Sequence, residues 1–432
     1  MKLSIKINLV FLTASMAALN AYAFDSFEPR TMAQAGATLV RSRGVEGSLA
    51  NPANLGMENN GGLNIKLFHF GAMAGNNSFS LKDYNRASGD FLDEGEKEAL
   101  LRAIPSSGFR ASASVDAMLL GLAAGRMALT VNLRSAESVC IPRDLFDLAL
   151  FGNQLDRTYS LAASDMGDAW TVAATTLSYG QPIKIGVFKG LALGIGIKHL
   201  MGINYGKMGG ELSFTTSGSG FNNTGLIEIL SAGENDFDTR RLNMNGSGFA
   251  ADLGLACQLN HHWSLGASLM NLSNGITWKN DTRKRVLNME VNELPLLGDS
   301  LTGMLSGNQI IDRTDTLGGI FRSRYPAAFN AGIAYDSKYF SAELDVRKGF
   351  YNGAGSAARW QLAQGFELRL ISFLPLRAGL AVWDNRTIVY SAGSGLKLGF
   401  IRLDAAATSL GFPGYNSQGF GASVSAGLAF GR

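Results

Sequence analysis

The chain has 432 residues, of which 17% are charged and 53 are glycine, and its formal net charge is +3. A soluble protein of this size carries about 25% charged residues and about 7% glycine, so the composition argues against a soluble enzyme. The near-neutral balance gives no basis for nucleic-acid binding, and two cysteines are too few for a disulfide-built scaffold.

Lys2 and Lys6 precede an apolar stretch over residues 7–18, and Ala21-Tyr22-Ala23 has the small-x-small form of a cleavage site. Residues 1–23 are therefore predicted to be a signal peptide, with the mature chain starting at Phe24. No cysteine follows the site, so a lipoprotein is not indicated. Residues 24–60 are not strand-like. They contain the small-residue run Arg30-Thr31-Met32-Ala33-Gln34-Ala35-Gly36-Ala37 and then Asn51-Pro52-Ala53. Asn51 can bond nearby backbone groups and Pro52 fixes φ, so together they are expected to turn the chain toward the first strand.

Past this segment no apolar run is long enough for a spanning helix; residues 187–203 are interrupted by Lys189, Lys198 and His199. An exported apolar chain without such a helix points to a barrel over residues 61–432, because only helices and closed barrels satisfy their backbone in lipid. The predicted strands run at 63–83, 108–122, 125–135, 168–180, 190–206, 247–258 and 263–278. Seven more follow with alternation almost without exception, at 329–336, 340–347, 360–370, 376–382, 388–398, 401–408 and 420–430. The fold class is all-β, an antiparallel up-and-down transmembrane barrel of about 14 strands, an even count that keeps both ends of the barrel in the periplasm.

A charge facing lipid at mid-depth costs about 2–4 kcal/mol for Lys or Arg. The charges on these strands are accordingly assigned to the lumen: Asp252, Glu343, Asp345, Arg347, Glu367, Arg369, Arg377, Lys397, Arg402 and Asp404. They are expected to compensate one another across neighbouring strands. Short turns at 336–338, 372–375 and 399 are assigned to the periplasm. Loops at 349–358, 384–386 and 411–418, with longer segments at 84–107, 136–167, 207–246 and 279–325, are assigned outside. Two of the long segments contain helix signals: a capping box at Asp93 and Glu96 with Pro105 as a stop, and an amphipathic run over 142–151 with Gly152 after it.

Chemistry-bearing motifs are missing. The four histidines lack zinc spacing, no Gly-Lys-Ser/Thr phosphate loop occurs, and no Gly-x-Ser-x-Gly elbow occurs. No catalytic residue, metal site or cofactor is assigned. Cys140 and Cys257 fall at opposite ends of the predicted barrel, so two free thiols are expected.

The small-residue segment from Arg30 through Gly36, followed by Asn51-Pro52-Ala53 ahead of a barrel, resembles the start of FadL-type and PorV-type outer-membrane proteins. Tyr325-Pro326-Ala327, opening a strand pair, and Pro375-Leu376-Arg377-Ala378-Gly379-Leu380 extend the resemblance toward the far end. The chain departs from the FadL pattern at Asn54, where those proteins usually carry glycine. The resemblance implies an outer-membrane location and a hatch, formed by residues 24–60, that plugs the lumen. It also implies passive transport of hydrophobic or amphipathic small molecules without a cofactor. The alternatives are a PorV-like partner-binding scaffold in protein secretion or surface attachment, and a structural barrel. The expected partners are outer-membrane lipid, a hydrophobic ligand, a secreted protein under the PorV reading, and the barrel assembly machinery. The terminal strand ending at Phe430 resembles the signal that machinery reads.

Overall fold

The computed structural model describes residues 26–60, 62–88, 91–185, 188–218, 220–233, 243–294, 309–383 and 387–431. The predicted signal peptide and the loop at 384–386 lie outside the described residues. The strands are β1 (Leu63–Asn76), β2 (Phe109–Ala124), β3 (Met127–Ile141), β4 (Thr158–Ser160), β5 (Gly167–Ile183), β6 (Gly190–Ser217) and β7 (Gly220–Ala232). Next come β8 (Gly246–Gln258), β9 (Trp263–Leu272), β10 (Gly275–Trp278), β11 (Thr282–Leu294), β12 (Gln309–Leu317) and β13 (Phe321–Arg324). The last seven are β14 (Ala328–Asp336), β15 (Phe340–Gly349), β16 (Trp360–Ile371), β17 (Leu374–Trp383), β18 (Ile388–Leu398), β19 (Ile401–Leu410) and β20 (Gly419–Phe430).

All pairings between them are antiparallel. Taken in order, β1, β2, β3, β5, β6, β8, β9 and β14 through β20 form a continuous ladder, and β20 pairs back onto β1 to close a barrel of 14 staves. Among the described residues no helix is long and apolar enough to cross a membrane. Side chains alternate as lipid on one face and a filled lumen on the other require. Leu344, Leu362, Leu376, Leu380, Leu403 and Val424 lie on the exposed outer face, while Ser341, Glu343, Asp345, Ser423 and Ser425 are buried inside. At the short-turn end the outer face carries aromatic rings, with Phe400 stacked on Phe430 at 5.4 Å and Trp263 against Tyr335 at 5.2 Å. Such rings mark the rim of a lipid-facing band.

Four segments differ from the sequence reading. The stretch predicted as one strand over 63–83 stops at Asn76, because Ser80 and Asp83 form a capping box that starts a helix, Leu81–Ala87. The segments 207–246 and 279–325, expected as loops, are largely strand. The outer part of β6 runs past the barrel and pairs with β7 from Tyr205 to Ser217, β7 pairs with β11, and β11 with β12. Together these strands make a sheet that projects from the long-loop end. The predicted strand over 263–278 is broken between β9 and β10, where Asn271 and Ser273 adopt φ of 58° and 53°. Opposite this break, Tyr325-Pro326-Ala327 separates β13 from β14. The two predicted loop helices are present as Glu94–Ala103, with Asp93 and Glu96 forming the capping box, and Arg143–Phe151, ended by Gly152 at φ 77°. Phe79, Phe109 and Phe146 pack together at the long-loop rim, with ring centroids 5.5 to 6.3 Å apart.

Candidate functional site: a plugged lumen

The lumen is filled by residues 26–60. The helix Pro29–Ala33 begins where the Glu28 side chain accepts from Arg30 N, and it ends in a turn made by Ala35 and Gly36 at φ 52° and 99°. The positive φ at Gly36 costs nothing without a Cβ. A second helix, Gly44–Ala50, leads to Asn51, whose side chain accepts from Ala53 N and caps the short 3₁₀ turn Pro52–Gly56. Phe27, Met32, Ala33, Gln34, Ala37, Asn51, Ala53 and Asn54 are all fully enclosed.

Wall glycines make room for this plug. A Cβ at Gly71 would overlap Phe27, one at Gly365 or Gly379 would overlap Gln34, and one at Gly393 would overlap Ala33. On the other side of the barrel, Gly180 faces Leu55 and Gly56, Gly194 faces Pro52 and Ala53, and Gly254 faces Asn51. These glycines sit on β1, β5, β6, β8, β16, β17 and β18, so the track runs around much of the ring. Here glycine allows the backbone of the plug to approach the backbone of the wall.

Charges fix the plug's register. Lys66 on β1 bridges Glu28 and Glu46 of the plug at 2.5 and 2.9 Å. Glu367 on β16 lies 3.0 Å from Arg41 and 3.6 Å from Arg30 of the plug, and 2.8 and 2.9 Å from Arg377 and Arg369 of the wall. Arg377 also reaches Asp404 at 2.5 Å. Two wall carboxylates accept from plug backbone: Asp345 from Leu39 N at 2.9 Å and Glu343 from Val40 N at 2.5 Å. Asp116 accepts from Phe27 N at 3.2 Å. The Asn51 amide donates to Leu255 O at 2.9 Å, and Asn60 donates to Gly125 O at 2.6 Å. Burial pushes the Glu28 carboxyl up, but Lys66 and His69 together more than offset this, leaving it below its ordinary range. A cavity of ≈ 60 Å³ remains between plug and wall, lined in part by Thr31, Thr38, Asp345, Arg347 and Gln361.

The predicted site residues separate into three groups. Asp252, Glu343, Asp345, Glu367 and Arg377 are buried in the lumen wall, and Asp404 joins them through Arg377. Arg347 lines the residual cavity, and Arg369 sits at the short-turn rim, where it also meets Asp336 at 2.8 Å. Lys397 is half-buried on the inward face near the same rim, and Arg402 bonds the turn carbonyls of Gly399 and Ile401 rather than the network. The expectation that wall charges compensate one another holds for Glu367, Arg369, Arg377 and Asp404. Asp252 also pairs within the wall, with Lys198 at 2.9 Å. It does not describe Glu343 and Asp345, which take backbone N–H groups of the plug. Asn51-Pro52-Ala53 does not turn the chain into β1 as expected. It pins the plug against β5, β6 and β8, and the chain enters β1 only after Gly62. Cys140 and Cys257 are free and buried.

The long-loop half of the lumen is closed by different chemistry. Trp170, Tyr325, Leu200, Ile276 and Trp278 form an apolar cluster with Tyr205 and Phe321 against it. Trp170 meets Tyr325 at 5.3 Å and Tyr205 meets Trp278 at 5.5 Å. The loop between β15 and β16 folds inward over this cluster. The sequence reading missed Glu28, Arg41, Glu46, Lys66 and the glycine track: Glu28 and Glu46 meet Lys66 only once the plug is laid against β1, Arg41 meets a carboxylate 326 residues away, and the glycines make backbone contacts without a side-chain signal.

Solved structures with the same fold include a Pseudomonas aeruginosa FadL homologue, with 12% identity, 96% of this chain and 100% of that chain covered, and a TM-score of 0.54. A TodX monoaromatic hydrocarbon channel mutant follows at 12% identity, 95% and 100% coverage and a TM-score of 0.56. The CymD monoaromatic hydrocarbon channel matches at 14% identity, 95% and 100% coverage and a TM-score of 0.50. The barrel is thus of FadL type. No curated protein matches the sequence. A family model described as a family of unknown function, DUF5723, matches residues 52–404, nearly the whole barrel and the end of the plug, and the chain belongs to that family.

Proposed function

We propose that this protein is a plugged outer-membrane channel that passes small hydrophobic molecules, with its short-turn end in the periplasm. The observation that carries the reading is the fit between plug and wall. A 14-stave barrel is wider than the 8-stranded kind that side chains alone can fill, and here seven wall glycines are shaped to a separate segment. That segment is held by ion pairs and hydrogen bonds rather than by strand pairing, so it can shift while the ladder stays closed. Solved structures of the same fold include monoaromatic hydrocarbon channels, which supports a hydrophobic cargo. The predicted signal peptide supports export to the outer membrane.

The test is uptake of labelled toluene by cells whose lipopolysaccharide-bearing outer membrane holds this chain. Faster uptake than in cells without it is expected, and equal uptake would overturn the reading. A second reading, a scaffold for a secreted protein, is favoured by the sheet of β6, β7, β11 and β12 that projects past the barrel. Co-purification of one secreted protein, lost when residues 207–233 and 279–317 are shortened, is the result it expects.

A further inference from the structure

The loop between β15 and β16 is a strap rather than an open loop. Ala354, Gly355, Ser356 and Ala357 are buried. Gly353 and Ser356 exchange backbone hydrogen bonds of 3.1 and 3.0 Å, which closes a tight turn with Gly355 at φ 66°. This turn reaches across the barrel mouth to staves on the far side. Trp170 Nε1 on β5 donates to Ala354 O at 2.9 Å, and Ala354 N donates to Asp168 Oδ2, also on β5, at 3.0 Å. A Cβ at Gly355 would lie 2.9 Å from the Cβ of Ala136 on β3. Ala354 is the one strap residue in the aromatic cluster of Trp170, Tyr325, Ile276 and Trp278.

The strap therefore sits where the lumen offers an apolar enclosure with two polar groups at one edge. With the strap lifted, Trp170 keeps a donor and Asp168 keeps an acceptor. Asp168 Oδ1 is already buried without a partner. A buried polar group left unmatched costs about 1–3 kcal/mol, so whatever replaces the strap is selected for matching both groups. Of the nearby cations, Arg110 pairs with Asp165 at 3.0 Å, while Arg134 borders the strap, with a guanidinium nitrogen 3.9 Å from where a Cβ at Gly355 would lie and with the Phe27 ring centroid 5.8 Å away on its plug side.

We propose that residues 353–357 occupy, in place of cargo, a binding chamber for a small apolar molecule whose polar end both donates and accepts a hydrogen bond, such as a phenol, alcohol or amide, and that Asp168 disfavours a carboxylate at the edge it shares with Trp170. The proposal rests on the channel reading and narrows its cargo. Trp170 reads the acceptor of the polar end and Asp168 reads its donor, while Tyr325, Ile276 and Trp278 enclose the apolar body.

The test uses the full chain in detergent, with 4-ethylphenol and 4-ethylbenzoate as probes, tryptophan fluorescence as readout and calorimetry as check. Two variants expel the strap: deletion of residues 351–357, and Gly355→Val, which keeps the loop length. Either assembled variant should bind 4-ethylphenol at least about tenfold tighter than the parent, a ratio equivalent to about 1.4 kcal/mol. It should also prefer 4-ethylphenol over 4-ethylbenzoate by a similar factor, and Asp168→Asn in the same background should remove that preference. No gain on strap removal, or equal binding of the benzoate with Asp168 intact, would overturn the chamber. Toluene uptake is scored separately. Uptake without chamber binding overturns only this proposal, and chamber binding without uptake overturns only the channel reading.

Discussion

Gly194 and Gly379 hold the plug from opposite sides, and replacing both with valine should eject it. Neither has a positive φ, so the backbone of each position accepts a side chain and only space forbids one. A Cβ at Gly194 would lie 2.6 Å from Ala53 Cα, and one at Gly379 would lie 2.6 Å from Gln34 Cα and Ala35 N. Those neighbours are backbone and cannot rotate away. Overpacking of this kind typically costs about 1–3 kcal/mol per site. The two sites lie on different staves and touch different parts of the plug, so their effects should add, to about 2–6 kcal/mol. At about 1.4 kcal/mol per tenfold, plug docking should weaken at least about thirtyfold in Gly194→Val/Gly379→Val. The ladder does not include the plug, so the barrel should still assemble and remain heat-modifiable on gels. Single-channel conductance in planar bilayers should rise, and Gly206→Val, where nothing lies within 4 Å of the new Cβ, should leave it unchanged. An assembled double variant with parental conductance would refute the idea that the glycine track seats the plug.

Glu367→Gln leaves Arg30, Arg41, Arg369 and Arg377 without their shared carboxylate, and detergent melts should show a loss of about 3–5 kcal/mol, the usual cost of breaking a buried pair; a loss matching that of Leu344→Val on the lipid face would count against it. Cysteines at Gly56 and Ala192, whose Cβ positions lie 2.9 Å apart, should cross-link once the wall yields slightly. In a background lacking Cys140 and Cys257, the cross-link should block toluene uptake until reductant is added. Acid should loosen the plug. Glu28 titrates below its ordinary range of about 4.5, so its contribution is full above that range and disappears as pH falls through the lowered value. The conductance of the parent should rise as pH falls below the ordinary range of Glu28, while Glu28→Gln conducts at all pH values. Thiols introduced at Tyr415 and Asn352, both exposed, should be labelled from outside intact cells while one at Lys338 is not; Ser417 is too buried to report.

The last seven staves were legible because lipid on one side and a filled lumen on the other impose period two on nearly all their residues, as in Phe420, Ala422 and Val424 against Gly421, Ser423 and Ser425. The projecting strands were not. In β11, Arg283, Lys284 and Arg285 meet water on the long-loop side of the barrel, so no alternation separates them from a charged loop. The plug was legible as a small-residue segment that is not strand. Its anchors were not, because Gly379 looks like any barrel glycine until Gln34 is placed against it, and Glu343 looks like a partner for a wall arginine until Val40 N arrives. The strap was hidden for a related reason: Gly353 through Ala357 carry no side chain larger than serine, and the loop's importance lies in two backbone groups of Ala354.

The plug also has a bearing on how the barrel closes. Its first described turn straddles the seam between the first and last staves, with Glu28 held by Lys66 on β1 and accepting from Ser425 Oγ on β20 at 3.2 Å, and with Ser423 Oγ on β20 bonded to Phe27 O. That seam joins residues at opposite ends of the sequence, such as Leu63 and Phe430, and so carries the largest loop-closure entropy of any ladder in the molecule. Residues 27 and 28 are made before any stave and contact both edges of the gap. A chain that captures β20 on the plug while β1 is already attached to it shortens the search for the final register. The segment that stops the lumen thereby serves as the clamp that brings the two edges of the sheet together, and a barrel built without it should close more slowly even where it closes correctly.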